Sequence, residues 1–297
     1  MVRGLWGGIS RGTEALVLRG GVPESERERM RCPHQEGAFP FPVKYGYAQV
    51  GVVEAGPAEL VGRTVFCLHP HQDRFVVAAA SLHPLPEDIP AGRGILAANM
   101  ETALNAVWDA APRAGDRITV VGAGVVGALV AYLCGSLPGA ETTLVDIDPG
   151  RAALAAALGV GFAVPDAAPA DCDVVFHASA SAAGLATAIG CAGVEAMVVE
   201  LSWYGNNAVA VPLGGAYHAR RLRLVSSQVG SVAEARRARW SHGRRMAKAL
   251  ELLKDPRLDV LLTGETPFGA LAAAYPRILA APGTLCHRIR YDAETGG

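Results

Sequence analysis

The segment Arg117–Leu137, RITVVGAGVVGALVAYLCGSL, constrains the fold of this chain more than any other. From Thr119 to Ala140 there is no charged residue, so hydropathy alone would allow a membrane span. A span needs about 20 apolar residues in one helix. This run barely reaches that length and is interrupted by Gly122, Gly124, Gly127, Gly135 and Gly139, each of which weakens a helix. RITVV is β-branched and reads as a buried strand. Gly122-Ala-Gly124-Val125-Val126-Gly127 follows at once, and VGALVAYLCGSL then reads as an apolar helix ending near Gly135 to Pro138. The next strand, TTLVDID, ends in acid, and Asp146 lies 19 residues after Gly127. A lone G-x-G-x-x-G is a weak signal; strand, glycine turn, helix, strand and acid in register form a dinucleotide-binding pattern.

Each position has a physical task. Gly122 permits the tight turn off the strand. Gly124, without a Cβ, lets a pyrophosphate approach the helix N-terminus, where unpaired N–H groups favour anions. Val125 and Val126 supply the first of those N–H groups, and Gly127 allows close packing of helix on strand. Asp146 would accept hydrogen bonds from the ribose hydroxyls and repel a 2′-phosphate, which favours NAD over NADP. The competing reading is a glycine-rich strand–helix turn that binds nothing.

The chain has 297 residues, is 51% hydrophobic and 19% charged, and so has material for a sizeable core in one large or two ordinary domains. A net charge of −1 gives no electrostatic argument for nucleic acid or a membrane surface. The N-terminal MVRGLWGGISRGTE is too short and polar for a secretion signal, so a cytoplasmic location is expected. Cys32, Cys67, Cys134, Cys172, Cys191 and Cys286 form no C-x-x-C pair, which argues for buried thiols over a disulfide framework or structural zinc.

Residues 1–100 hold short apolar runs broken by Gly and Pro (QVGVVEAG, LVGRTVFCL, DRFVVAAASL) and read as β-rich and barrel-like. Residues 101–230 alternate helix and strand, which predicts a doubly wound parallel sheet. After Gly230 come two helical stretches, VAEARRARWSHGRRMAKALELLKD and FGALAAAYPRILA, joined by LDVLLTGE. TLCHRIRYD alternates like an edge strand that returns residues 231–297 to the first domain.

GISRGTE, YGYAQVGVVEAG, the glycine turn and VDIDPGRAALAAALG together resemble the medium-chain dehydrogenase/reductase superfamily, the alcohol dehydrogenase and quinone reductase group. GISRGTEALVLRGG with YGYAQVG is most similar to its bacteriochlorophyllide dehydrogenase branch. The resemblance implies an α/β fold, with a doubly wound parallel Rossmann sheet at 101–230 and a β-rich, barrel-like (GroES-like) substrate domain at 1–100 and 231–297. Family members usually have a strand or more ahead of the GIS segment, where this chain has only MVRGLWG, so either the true start lies upstream or the first strand is absent. Arg151 stands where a basic residue often flanks the adenosine. Thr102 matches a residue near the nicotinamide, or serves only the start of the first Rossmann helix.

The departures from the family are chemical. Zinc-dependent members place a Cys in the segment that here reads Ser10-Arg11, Gly-His-Glu where this chain has Gly46-Tyr47-Ala48, and a third ligand near Ala98. None of these suits Zn²⁺, and the four-cysteine structural lobe is absent, so the resemblance implies a metal-free member. Tyr47 stands at the lost His position. Its phenol either donates a proton, with Lys44 lowering its pKa of about 10, or fills the space left by the metal. Thr13 matches a proton-relaying hydroxyl, or bonds its own loop backbone; Glu14 is expected in a structural ion pair.

Two clusters invite other readings. Cys67-Leu-His69-Pro-His71 puts three ligand types on one face, yet Pro70 and Gln-Asp beyond it suggest a turn. The basic run Arg236, Arg237, Arg239, Arg244, Arg245 and Lys248 reads as the solvated face of a helix more simply than as a polyanion site. The expected function is zinc-independent, NAD-dependent interconversion of a secondary alcohol and a ketone on a fairly apolar small molecule by a homodimer. The alternatives are an NAD(P)H-dependent enoyl or quinone reductase and a dinucleotide-binding protein without catalysis.

Overall fold

The computed structural model describes residues 1–291. Strands β1 (Val2–Ser10), β2 (Glu36–Gly37), β3 (Val43–Lys44), β4 (Gln49–Val53), β5 (Thr64–Cys67), β6 (Arg74–Phe75) and β7 (His83–Pro84) come first. Then follow β8 (Arg117–Val121), β9 (Glu141–Val145), β10 (Gly161–Ala163), β11 (Cys172–His177), β12 (Ala192–Glu200) and β13 (Arg223–Ser226), and finally β14 (Leu262–Pro267) and β15 (Cys286–Arg290). The helices are α1 (Arg11–Leu18), α2 (Ala91–Gly94), α3 (Ala97–Ala110), α4 (Val125–Gly135), α5 (Ala152–Leu158), α6 (Ala182–Cys191), α7 (His242–Glu251) and α8 (Leu271–Ala280). No helix among the described residues is long and apolar enough to cross a membrane. The chain divides into two compact units, Met1–Ala98 with the chain from Gly243 onward, and Asn99–His242.

The first unit is built on a mostly antiparallel sheet in the order β14-β15-β1-β4-β5-β7, with β6 also on β1. The GIS segment lies inside β1, a nine-residue strand in the middle of this sheet. One face is covered by α1 and α8 through Ile9, Ala15, Leu271, Ile278 and Ile289; another cluster joins Val2, Val53, Val65 and Phe75. β15 is not an edge strand. It is paired with β1 on one side and β14 on the other, because TLCHRIRYD alternates over a two-sided position and LDVLLTGE supplies the edge. Buried Arg93 forks onto Asp259 with two 2.7 Å bonds, tying α2 to the chain beyond Gly243.

The second unit is a parallel six-stranded sheet in the order β10-β9-β8-β11-β12-β13. The order reverses between β8 and β11, the two central strands, whose carboxyl ends therefore diverge into a crevice. The uncharged α4 is buried along most of its length, from Gly127 to Tyr132 and at Cys134, which accounts for its membrane-like hydropathy. Residues 231–242 belong to this unit: Trp240 packs on Trp108 of α3 with ring centroids 4.8 Å apart, and Arg236 lies over the Trp108 ring. The basic run is therefore not one solvated helical face. Arg236, Arg237 and Arg239 precede α7, and Arg245 within α7 is fully buried. No disulfide joins the six cysteines; five are buried and Cys32 is half-buried.

Candidate functional site

The glycine turn is shaped by backbone contacts that only glycine permits. Gly122 has φ +109, its N–H donates to Val145 O at 2.8 Å, and a Cβ on it would fall 2.7 Å from Ser179 N. At Gly127 a Cβ would lie 1.9 Å from Gly122 O, so helix and turn touch backbone to backbone. Gly124 differs: it is the exposed N-cap residue of α4, with an ordinary φ of −74, and a Cβ there would meet nothing. Packing does not require glycine at 124. The open cradle in front of it, with the first-turn N–H groups of α4 at Val125 and Val126, matches what a pyrophosphate needs.

Asp146 follows β9. Its Oδ2 accepts from Ala123 N at 2.7 Å and its Oδ1 from Asp148 N at 2.9 Å. The carboxylate is thus aimed by the glycine turn itself, and each oxygen keeps a second lone pair for a ribose hydroxyl. Arg151 lies one turn on, its Nε 3.5 Å from Asp148 Oδ2, and Thr102 sits half-buried on α3. These residues fit a nicotinamide dinucleotide: open cradle, orphan N–H groups and oriented acid belong to one unit.

Across the crevice lies a group that the reading of CDVVFHAS as a strand alone missed. His177, fully buried at the end of β11, has its Nδ1 2.7 Å from Glu200 Oε2 at the end of β12, and its Nε2 2.6 Å from Ser179 Oγ. Tyr204 donates to the same Glu200 oxygen at 3.1 Å, and Ser202 N donates to Oε1 at 2.7 Å. Burial by itself would raise the Glu200 carboxyl, but the hydrogen bonds and charge of His177 and the bonds from Ser202 hold it below the ordinary carboxylate value. The available signal was His-x-Ser at the end of one central strand and Glu at the end of the next.

In the first unit, the turn from β1 into α1 brings Tyr47 and Thr13 together. The Tyr47 hydroxyl hydrogen-bonds the side chains of Ser10 and Thr13. Lys44 is elsewhere: its Nζ is 2.6 Å from Glu36 Oε1, so the expectation that it lowers the Tyr47 pKa fails. Desolvation raises this phenol above its ordinary value despite the two hydroxyl contacts, with Glu14 adding to the rise, so Tyr47 holds its proton at neutral pH.

Glu14 is buried and accepts from Ser10 N at 2.7 Å, from Tyr275 OH, and pairs with His71 Nε2 at 2.9 Å. His71 and Tyr275 were not expected beside it. Cys67, His69 and His71 do not converge on a metal: His69 stacks on Phe75 at 4.0 Å while His71 turns to Glu14. Among the described residues no three His, Cys, Asp or Glu side chains form a group that could hold a metal.

No protein-family profile and no curated protein matches this sequence. Solved structures do. L-idonate 5-dehydrogenase from Escherichia coli K-12 matches with a TM-score of 0.76 at 17% identity, covering 98% of this chain and 90% of its own. A thermostable alcohol dehydrogenase from Pyrobaculum aerophilum matches at 0.73 and 17%, covering 97% and 90%. An alcohol dehydrogenase from E. coli CFT073, solved with NADH, matches at 0.73 and 15%, covering 98% and 91%. The chain has the medium-chain dehydrogenase fold. The sequence resemblance gives the zinc-ligand positions to Ser10-Arg11, Tyr47 and Ala98. A hydroxyl, a phenol and a methyl are not a zinc ligand set. The residues present do not fit the metal.

Proposed function

We propose that this protein is a zinc-independent, NAD-dependent oxidoreductase that interconverts a secondary alcohol and a ketone on a fairly apolar small molecule. The observation that carries the reading is the open cradle at Gly124 beside an acid that the same turn orients, since packing leaves the glycine at 124 unexplained. NAD, when bound, supplies the hydride acceptor and, reduced, the donor. Asp146 would take the ribose hydroxyls, and its charge disfavours a 2′-phosphate.

Without a Lewis acid, a hydrogen-bond donor must stabilise the oxyanion that develops on the reduced carbonyl. Tyr47 is suited to this. Its side chain is half-buried, and desolvation raises the phenol so that it stays protonated. In reduction it would donate that proton to the alkoxide, with the Ser10 and Thr13 hydroxyls sharing the charge left on the phenolate. In oxidation the same proton returns from the alcohol.

A donor phenol also serves reduction of an activated C=C bond, which keeps the enoyl reductase reading as the second choice. The test is a panel of secondary alcohols, ketones and enones with NAD(H) and NADP(H), read by the absorbance of the reduced cofactor, with elemental analysis of the same preparation. Turnover of ketones with NADH by protein free of zinc supports the reading. About one zinc per chain, or preference for NADPH, would end it.

A further inference from the structure

Alternation along β15 sends Ile289 into the cluster under α1 and α8, and so turns Arg288 and Arg290 to the opposite face of the sheet. On that face β1 contributes Trp6, in register with Arg290, and β14 contributes Glu265, in register with Arg288. α2 packs over β1 and β4. Together they enclose a surface pocket of about 590 Å³, with Trp6, Gly92, Arg93, Asp259, Leu262 and Arg288 on its walls. The pocket lies wholly in the first unit. Trp6 stands four residues before Ser10 on β1, about 13 Å along the strand, so the pocket is separate from the hydroxyls that meet Tyr47.

Three charged residues line it, and two of them cancel. Arg93 engages both carboxylate oxygens of Asp259 at 2.7 Å, and its Nη1 donates to Leu253 O and Lys254 O. Arg288 is left over. One face of its guanidinium is covered by the Trp6 ring, whose centroid is 5.1 Å away. Its Nη2 meets Glu265 Oε2 at 3.0 Å, an acid it shares with Arg290 at 3.3 Å. Nε is buried without a partner, and Nη1 makes no hydrogen bond among the described residues. Gly92 is what leaves Nη1 open. A Cβ there would stand 3.4 Å from Nη1 and 3.8 Å from Trp6 Cε2, an ordinary contact, and Gly92 is not among the residues with positive φ. Neither backbone nor packing requires glycine at 92.

An open guanidinium nitrogen beside an indole and the Leu262 side chain suits an anion with an apolar body. A cation finds no free acid on these walls, because both Asp259 oxygens are held by Arg93. A doubly charged phosphate calls for a second open cation, and the Arg93 guanidinium is already engaged. We infer that this pocket is a binding site for an organic carboxylate, held by Arg288, with Gly92 giving access to the guanidinium and Glu265 competing for it.

Benzoate is the probe and benzyl alcohol its uncharged counterpart, titrated by calorimetry at neutral pH and constant ionic strength. Benzoate should bind saturably at millimolar concentration, and benzyl alcohol about tenfold more weakly or worse. Gly92→Ala, within a helix that favours alanine, should keep or raise the melting temperature and weaken benzoate by about tenfold or more. Arg288→Gln should weaken it as much. Glu265→Gln releases Arg288 and should tighten benzoate by up to about fivefold, a gain that misfolding cannot produce. NADH affinity should stay native in all three variants. The inference is overturned if benzoate fails to bind both the native and Glu265→Gln proteins, or binds no better than benzyl alcohol. Native affinity for benzoate in Gly92→Ala and Arg288→Gln would place it elsewhere on the molecule and overturn the inference equally.

Discussion

Gly124→Ala separates what packing requires of the glycine turn from what a cofactor requires. The residue has φ −74 and ψ −180, ordinary for alanine, and the added methyl points into open space. Less backbone entropy in the unfolded chain would stabilise the variant by about 0.4–1 kcal/mol. Alanine is a poorer N-cap than glycine, which costs a similar amount. The free protein should therefore keep its stability within about 0.5 kcal/mol. The same methyl stands between a pyrophosphate and the α4 N–H groups. Losing one hydrogen bond to a charged group costs about 1.5–3 kcal/mol, or roughly 10- to 100-fold in NADH affinity.

Gly127→Ala is the counterpart. Its Cβ would lie 1.9 Å from Gly122 O, so helix and turn must separate by about an ångström. Overpacking of that kind costs about 1–3 kcal/mol, beyond the gain of about 1 kcal/mol from helix propensity. Thermal unfolding with NADH titration by fluorescence reads both variants. Native NADH affinity in a folded Gly124→Ala protein would refute the assignment of the cradle to a phosphate.

Three further outcomes are expected. Asp146→Ala should narrow the preference for NADH over NADPH and weaken NADH itself, because Ala123 N loses its acceptor along with the ribose; direct titration of both cofactors checks this. Tyr47→Phe removes only the hydroxyl, so turnover should fall roughly 10²- to 10³-fold while NADH affinity and melting temperature stay near native. A kcat within about threefold of native would assign Tyr47 to packing. Because the folded Glu200 carboxyl is held below its ordinary value of 4.5, its contribution to stability is present above that pH and lost as pH falls through the lower folded value. Glu200→Gln should accordingly flatten that part of the acid limb of the stability–pH curve, followed by chemical denaturation.

The strand, glycine turn and oriented acid of the proposed cofactor site were legible in the sequence because these parts are local. Strand, glycine turn, helix and Asp146 follow one another within a single βαβ unit, and their spacing is set by the lengths of those elements. Even the steric demand at Gly127 is made by Gly122, five residues away. What remained hidden depends on which distant segments become neighbours. Glu14 meets Tyr275, 261 residues further on, only because α8 packs over β1 and α1, and it meets His71, 57 residues on, through the loop that follows β5. His177 meets Glu200 because β11 and β12 end side by side in the parallel sheet, a register that periodicity cannot specify. The partner of Lys44 is decided in the same way. Three residues of spacing put it near Tyr47 in sequence, but the β2–β3 pairing turned it to Glu36. The sequence thus determined the strand–glycine turn–helix element proposed to bind the dinucleotide, whose geometry is a matter of chain-local sterics. Only the tertiary structure decided which acids, imidazoles and phenols share a hydrogen bond, because those partners are selected by strand order and helix packing.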